Sequence, residues 1–417
     1  MLKSSQIVNL RANREKELFM NEQIKVLAYQ PKYSERKGFE LFSENQAKKV
    51  RAYHQTIPGY EPTPLINLEN LSSKLGVKGI YVKDESFRFG LNAFKSLGSS
   101  YCMGELLTEK LDLNTAPDFS RLTTKEAREA LGEMTFVTAT DGNHGRGVAW
   151  SAKMLGHKSI VLMPKGTAAE RLENIRKLGA DAWITDVEYD ATVQMAAKLA
   201  EERGGVLVQD TAWAGYESVP LKIMQGYLTL GLEIVEALKD TKPTHLFLQA
   251  GVGSMAAAVA AFFVNYYGKE CPKIIIVEPN GADCLYKTAE AADGAIHAYD
   301  GELHSIMAGL CCGIPCTVAW DLLDQCADFF VSMPDWVAAD GMRILGAPVL
   351  GDTRIISGES GASCFGLAAD LLRKPELSVL KDKVGLGENS VILCLSTEGA
   401  TDRENYRKIV WEGAFAS

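Results

Sequence analysis

Lys95 stands in the segment ESFRFGLNAFKSLGSSY, directly behind the apolar Phe94, among small residues that let a backbone approach a ligand, and just ahead of a run with helical pattern. Burial disfavours the charged form of a lysine, and the neutral amine is the form that attacks an aldehyde to make a Schiff base. The placement predicts a buried Lys95 with a lowered pKa. Taken alone, such a residue is more commonly a solvated lysine at a helix start.

A second group lies in TATDGNHGRGVAW, which follows a strand-like run and opens a helical one. Gly142, Gly145 and Gly147 permit a tight turn with bare amides at a helix N-terminus, where a carboxylate or phosphate is stabilised. Asn143 offers both donor and acceptor to a ring hydroxyl, and Asp141 adds an ionisable group at the same turn. Asp141 reads equally as a helix cap, and His144 reads best as a satisfied structural histidine.

A third group, LQAGVGSMAAAV, repeats the order strand, glycine loop, helix, so that Gly251, Gly253 and Ser254 can aim several N–H groups and a hydroxyl at a phosphate. The third glycine and the later acidic residue of a dinucleotide fingerprint are missing, so a single phosphate fits better than a nicotinamide or flavin. LCLSTEGATD ends a strand on the neutral hydroxyls of Ser396 and Thr397, where a cofactor ring can rest. RIISGESGASCFGLAADLL sets Glu359 and Ser360 among glycines before a helix, and VQDTAW puts Asp210 and Trp213 at a strand end, where open α/β sheets place ligand contacts. Each of these segments is ambiguous by itself.

The elements that must carry these residues alternate. From about residue 134, short β-branched runs (MTFVTAT, SIVLMP, DAWIT, VLVQD) interleave with amphipathic segments of helical period, the signature of a parallel sheet. After the long helical stretch LKIMQGYLTLGLEIVEAL the alternation resumes with THLFLQA, KIIIVEP, DFFVSM and SVILCLS, strands apolar enough to be covered on both faces. Two α/β lobes are expected: residues 1–95 with 216–417 as a large domain and 96–215 as a small one, although periodicity assigns no element within the first 95 residues. The segment near 111–126 reads as a loop or helix connection.

The chain has 417 residues and 47% hydrophobic content, enough for two packed lobes. Forty-four basic against fifty-three acidic side chains give a net charge of -9, which argues against a general nucleic-acid or membrane-surface role. The nine cysteines form no CxxC pair, and the tightest group, Cys311, Cys312 and Cys316, has no histidine nearby, so no metal site is expected. The first nineteen residues carry charges where a leader peptide would be apolar, and no apolar run approaches the roughly 20 residues of a membrane helix. A cytoplasmic location with reduced thiols is expected.

In this order, the segments resemble the fold-type II pyridoxal-phosphate (PLP) enzymes, the family of threonine dehydratase and the tryptophan synthase β chain, over roughly residues 60–405. EPTPLINLENLSSKLG looks like the opening segment of that family, NAFKSLG like its Schiff-base lysine motif, TDGNHGRG like its asparagine loop, AGVGSM like its phosphate loop and VEP like the strand that follows. The resemblance implies an α/β fold of two lobes, each a mostly parallel sheet flanked by helices, with PLP as cofactor and a homodimeric assembly. It implies cofactor contacts from Phe94, Lys95, Asn143, Gly251, Val252, Gly253, Ser254 and Met255, and from Ser396 or Thr397 at the pyridine nitrogen. Substrate contacts fall to Thr140, Asp141, Gly142, Asp210 and Glu359.

A closer likeness, carried by FGLNAFKSLG, TATDGNHGRGVAW, VQDTAWAGY, IMAGLCCG, RIISGESGA and STEGATD, is to the branch that converts 2,3-diaminopropionate, D or L, to pyruvate and two ammonia. Dehydratases carry a small residue where Asp141 stands. A carboxylate there repels the carboxylate of a simple amino acid but meets an extra ammonium or acts as a base, so the alternative, a serine or threonine dehydratase or another β-eliminating amino-acid lyase, ranks second. The resemblance implies Lys95 as base for the L isomer, Asp141 as base for the D isomer, and Asp210 as a further group holding substrate or assisting proton transfer.

Overall fold

The protein is described by a computed structural model covering residues 23–31 and 37–416; the charged N-terminal stretch discussed above lies outside the described residues. Its eleven described strands are β1 (Lys25–Ala28), β2 (Leu65–Asn67), β3 (Gly79–Asp84), β4 (Thr135–Ala139), β5 (Lys158–Met163), β6 (Asp181–Ile184), β7 (Val206–Leu207), β8 (His245–Gln249), β9 (Lys273–Pro279), β10 (Phe329–Met333) and β11 (Val391–Ser396). They form two sheets. The larger has the order β1-β10-β9-β8-β11-β3-β2 and the smaller β6-β5-β4-β7.

Every pairing in the small sheet is parallel. In the large sheet the inner pairings are parallel, and only the edges β1 and β2 run antiparallel to their neighbours. Strands β8, β10 and β11 are buried at every residue, as expected where helices cover both faces. One apolar cluster packs on each side of this sheet, one including Phe262 and Phe263, the other Phe365 and Met342.

The stretch LKIMQGYLTLGLEIVEAL is not one helix but two, Ser218–Gly226 and Leu228–Leu238, joined at Tyr227. The segment 111–126 begins as a loop and carries two short helices, Phe119–Leu122 and Lys125–Leu131, the second starting within it. The first 95 residues contribute β3, hydrogen-bonded between β11 and the edge strand β2, a pairing that periodicity did not reveal.

Four helices position the site: α1 (Ser96–Lys110), α2 (Asn143–Leu155), α3 (Ser254–Tyr267) and α4 (Glu359–Arg373). α1 begins immediately after Lys95, and α2 crosses it closely. A Cβ on Gly147 would lie 3.0 Å from Ser96 N and 3.1 Å from the Lys95 carbonyl carbon, so a larger residue would push the two helices apart. The turn ahead of Lys95 holds Phe89 (φ 49) and Asn92 (φ 58) in the left-handed region. A buried ionic cluster secures the start of that turn: Glu233 takes Lys83 at 2.5 Å and Arg88 at 2.7 Å, and Arg88 also meets Glu85 at 2.9 Å.

Candidate active site

The C-terminal ends of β4, β7, β8 and β11 face one cavity. This is the location that open parallel sheets favour for ligands. β4 delivers Asp141, Asn143 and His144 at the start of α2, β7 delivers Asp210, β8 delivers Gln249 and the glycine loop, and β11 delivers Thr397 and Glu398. Phe94 and Lys95 line the same space. Eleven predicted positions therefore meet in one cavity: Phe94, Lys95, Asp141, Asn143, Asp210, Gly251, Val252, Gly253, Ser254, Met255 and Thr397.

Lys95 Nζ donates to Asp210 Oδ2 at 2.5 Å, and the Lys95 side chain is 19% exposed. Burial works to lower its pKa, but the charge and hydrogen bond of Asp210 outweigh burial and hold it above the usual lysine range. The lowered pKa expected from the sequence is thus reversed, because a carboxylate 115 residues along the chain supplies a counter-charge. Asp210 is drawn down to about 2: burial opposes this, while His144 and Lys95 prevail.

His144 was read as structural, and one ring nitrogen is: Nε2 lies 2.8 Å from the Val208 carbonyl, which fixes the hydrogen on Nε2. Nδ1 has no hydrogen-bond partner and stands 3.6 Å from Asp210 Oδ2. Burial pushes the imidazole below its ordinary range, with Asp210 acting the other way.

Asp141 occupies the turn before α2 with its side chain 28% exposed. Arg171 Nη1 donates to the Asp141 carbonyl at 3.3 Å and lies 3.6 Å from Oδ2, which has no hydrogen bond. Burial raises the carboxyl above its usual range, Arg171 and Lys95 opposing. Asn143 Nδ2 donates to Glu398 Oε2 at 2.5 Å, which fixes the orientation of its amide.

Thr140, Gly142, Glu359 and Ser396 lie outside the cavity lining. Thr140 Oγ1 accepts the amides of Gly142 and Gly145 at 2.9 and 3.0 Å, shaping the loop from behind. Ser396 Oγ donates to Ser357 Oγ at 2.8 Å, whereas Thr397 Oγ1 accepts from Gln249 Nε2 at 3.0 Å on the cavity side. Glu359 is raised to about 7 by burial and by the neighbouring Glu398, and bonds Asn405.

The cavity fits a phosphorylated carbonyl compound. Among the described residues, no protein acceptor takes the amides of Gly251 to Met255. They gather where Gly253 (φ 96) turns the chain into α3, an arrangement of bare donors at a helix start suited to a phosphate. Ser254 Oγ donates to the Asp210 carbonyl at 2.7 Å, tying this loop to the strand end that holds Lys95. Gln249 Oε1, Ser360 Oγ and Asp141 Oδ2 also line the cavity as buried oxygens without partners.

Tyr189, Gln249, Gly309, Cys312, Ser360 and Glu398 also line the cavity, and the sequence does not assign them to the site. Ser360 and Glu398 stood inside quoted motifs, and Gly309 and Cys312 inside IMAGLCCG, so a signal was present but did not say which side chains turn inward. Trp213, noted at the same strand end as Asp210, instead stacks on Tyr216 at 4.5 Å.

Fold and site define an α/β enzyme with a lysine and a phosphate-binding loop in one cavity. The chain belongs to the pyridoxal-phosphate dependent enzymes, whose family profile matches residues 56–384. It is 49% identical over 379 residues, 90% of this chain and 94% of the relative, to the diaminopropionate ammonia-lyase of Escherichia coli (strain K12). The crystal structure of diaminopropionate ammonia lyase from Escherichia coli in complex with D-serine matches with a TM-score of 0.88 at 46% identity, over 94% of this chain and 98% of that one. The Escherichia coli enzyme in complex with an aminoacrylate-PLP azomethine reaction intermediate matches with a TM-score of 0.85 at 45% identity, over 95% and 98% of the two chains.

Proposed function

We propose that this chain eliminates ammonia from 2,3-diaminopropionate, releasing pyruvate and two ammonia, and that it accepts both isomers. The observation that carries this reading is Asp141, a carboxylate lining the same cavity as Lys95. It disfavours an amino acid whose only further charge is its carboxylate and favours one that brings a second ammonium. The identity to diaminopropionate ammonia-lyase over most of both chains supports the same substrate.

Pyridoxal phosphate, when bound, supplies the electron sink for negative charge developing at Cα. The amides of Gly251 to Met255 would hold its phosphate, Lys95 its aldehyde carbon, Asn143 its ring oxygen and the neutral Thr397 hydroxyl its ring nitrogen. Phe94 packs beside the lysine, Lys95 Nζ lying 5.4 Å from its ring centre. Asp210 keeps the Lys95 ammonium in place and is the acceptor in contact with it when the amine must become a nucleophile. Lys95 takes the Cα proton of the L isomer and Asp141 that of the D isomer. The β-nitrogen leaves as ammonia, and the released enamine hydrolyses in water to pyruvate and the second ammonia.

Pyruvate release from 2,3-diaminopropionate, serine and threonine tests the reading: diaminopropionate is preferred, and a preference for serine refutes it in favour of a dehydratase. We further propose a homodimer in the cytoplasm. The assembly rests on the family likeness, and the compartment on nine cysteines that are all free thiols. Light scattering on the purified chain checks the assembly, and a monomer refutes it. Among the described residues no helix is long and apolar enough to cross a membrane.

A further inference from the structure

Two buried oxygens without hydrogen-bond partners converge on one point of the cavity. A Cβ on Gly309 would lie 3.2 Å from Ser360 Oγ and 3.6 Å from Asp141 Oδ2, and neither atom accepts a hydrogen bond, the nearest cation to Oδ2 being Arg171 Nη1 at 3.6 Å. Ser360 is 4% exposed, and with Gly309 and Asp141 it lines the space that holds Lys95. The backbone of Ser360 is fully engaged. Its N–H goes to Glu398 Oε1 at 3.2 Å, and its carbonyl accepts Ser363 Oγ at 2.7 Å and Gln249 Nε2 at 3.2 Å. Only its hydroxyl is left.

Gly309 does not have a left-handed backbone, so conformation does not require glycine there. Space does, because any side chain would occupy the point on which the two oxygens converge. A carboxylate only accepts and a hydroxyl has lone pairs to offer, so the group that satisfies both is a donor with more than one hydrogen. A buried acceptor without a hydrogen bond has lost its water and gained nothing in return, which makes this a place prepared for a ligand.

We propose that Asp141, Ser360 and Gly309 form the subsite for the second ammonium of a diamino-acid substrate, with Ser360 as a specificity-determining residue. This rests on the elimination reaction proposed above and names how its substrate is selected. The ammonium donates to Asp141 Oδ2 and Ser360 Oγ and stays protonated. When the Cα–H bond breaks, its proton goes to Lys95 or Asp141 and its electron pair forms the Cα=Cβ bond. The Cβ–N bond breaks as that double bond forms, its pair going to nitrogen, which leaves as neutral ammonia carrying three hydrogens already present. A β-hydroxyl would have to gain a proton to leave as water, and a subsite of acceptors supplies none.

The test is the ratio of kcat/KM for 2,3-diaminopropionate to kcat/KM for β-chloroalanine, whose leaving group brings no ammonium. Ser360→Ala lowers this ratio about tenfold or more, as expected for one hydrogen bond to a charged group, through KM. Ser360→Thr, which keeps the hydroxyl, restores it. Gly309→Ala lowers the ratio by placing a methyl group at the point of convergence. Equal losses on both substrates, or an unchanged ratio in both Ser360→Ala and Gly309→Ala, overturn the subsite while leaving the elimination reaction standing. Failure of the unaltered chain to release pyruvate from diaminopropionate, with β-chloroalanine turned over, overturns both.

Discussion

Replacing Asp141 by asparagine removes a charge and almost nothing else. The side chains are isosteric, Oδ2 has no hydrogen bond to lose, only its ion pair with Arg171 Nη1 at 3.6 Å, and the Nη1 contact at 3.3 Å to the backbone carbonyl is left intact. The folded protein is therefore preserved, and the effect falls on chemistry. Losing a positioned base costs about 10²–10⁴ in rate, equivalent to roughly 3–5 kcal/mol of barrier. That loss is expected in kcat for the D isomer, while kcat for the L isomer, whose proton goes to Lys95, stays within a few-fold. KM rises for both isomers alike, since both lose the partner of their second ammonium. Burial raises the Asp141 carboxyl above its ordinary 3.8, Arg171 and Lys95 limiting the rise. In the unaltered chain the acid limb of D-isomer turnover thus lies above the usual carboxylate range, and Asp141→Asn removes that limb. Pyruvate release from each isomer across pH measures all of this. An equal fall in kcat on both isomers would refute the assignment of one base to each.

Three further outcomes follow from the geometry. Lys95→Ala abolishes covalent retention of the cofactor, so borohydride reduction adds its mass to the unaltered chain and not to the variant; added mass on the variant would place the attachment elsewhere. Glu233→Gln leaves Lys83 and Arg88 buried with half their counter-charge, and breaking such a pair costs about 3–5 kcal/mol in urea unfolding near neutral pH. Although burial opposes it, Arg88 and Lys83 draw Glu233 from 4.5 down to about 2, so its stabilisation is present above the unfolded value and fades as pH falls towards 2. The two proteins converge in acid, and a constant gap would contradict the ionic origin. Gly147→Ala forces a methyl to 3.0 Å from Ser96 N, costing about 1–3 kcal/mol by overpacking and loosening the backbone at Lys95. Thermal unfolding without the cofactor reads this, and unchanged stability would mean that α1 and α2 separate freely.

Much of this site was legible before folding, because its motifs are local. A strand, a glycine loop and a helix are contiguous in TATDGNHGRG and in QAGVGSM, so the bare amides at the start of α3 follow from residue order alone, whereas at α2 Thr140 Oγ1 takes the amides of Gly142 and Gly145. The strands from β4 onward were equally visible, since β-branched runs bounded by turns carry their own period. β3 was not. Its six residues join the large sheet only through pairing with β11 and β2, partners that lie far along the chain or run antiparallel beside it.

What the sequence determined by itself was the cofactor class, the lysine and the glycine loops, each written in neighbouring residues. The tertiary structure decided which side chains face one another. Whether Thr397 or Ser396 looks inward depends on the alternation of side chains at the end of β11, which needs the register of the sheet. The protonation of Lys95 depends on Asp210, and the orientation of Asn143 on Glu398, partners 115 and 255 residues apart. Charge interactions act through space and fall off with distance. A pKa, unlike a turn, is therefore set by the residues that folding brings together, whatever their order in the chain.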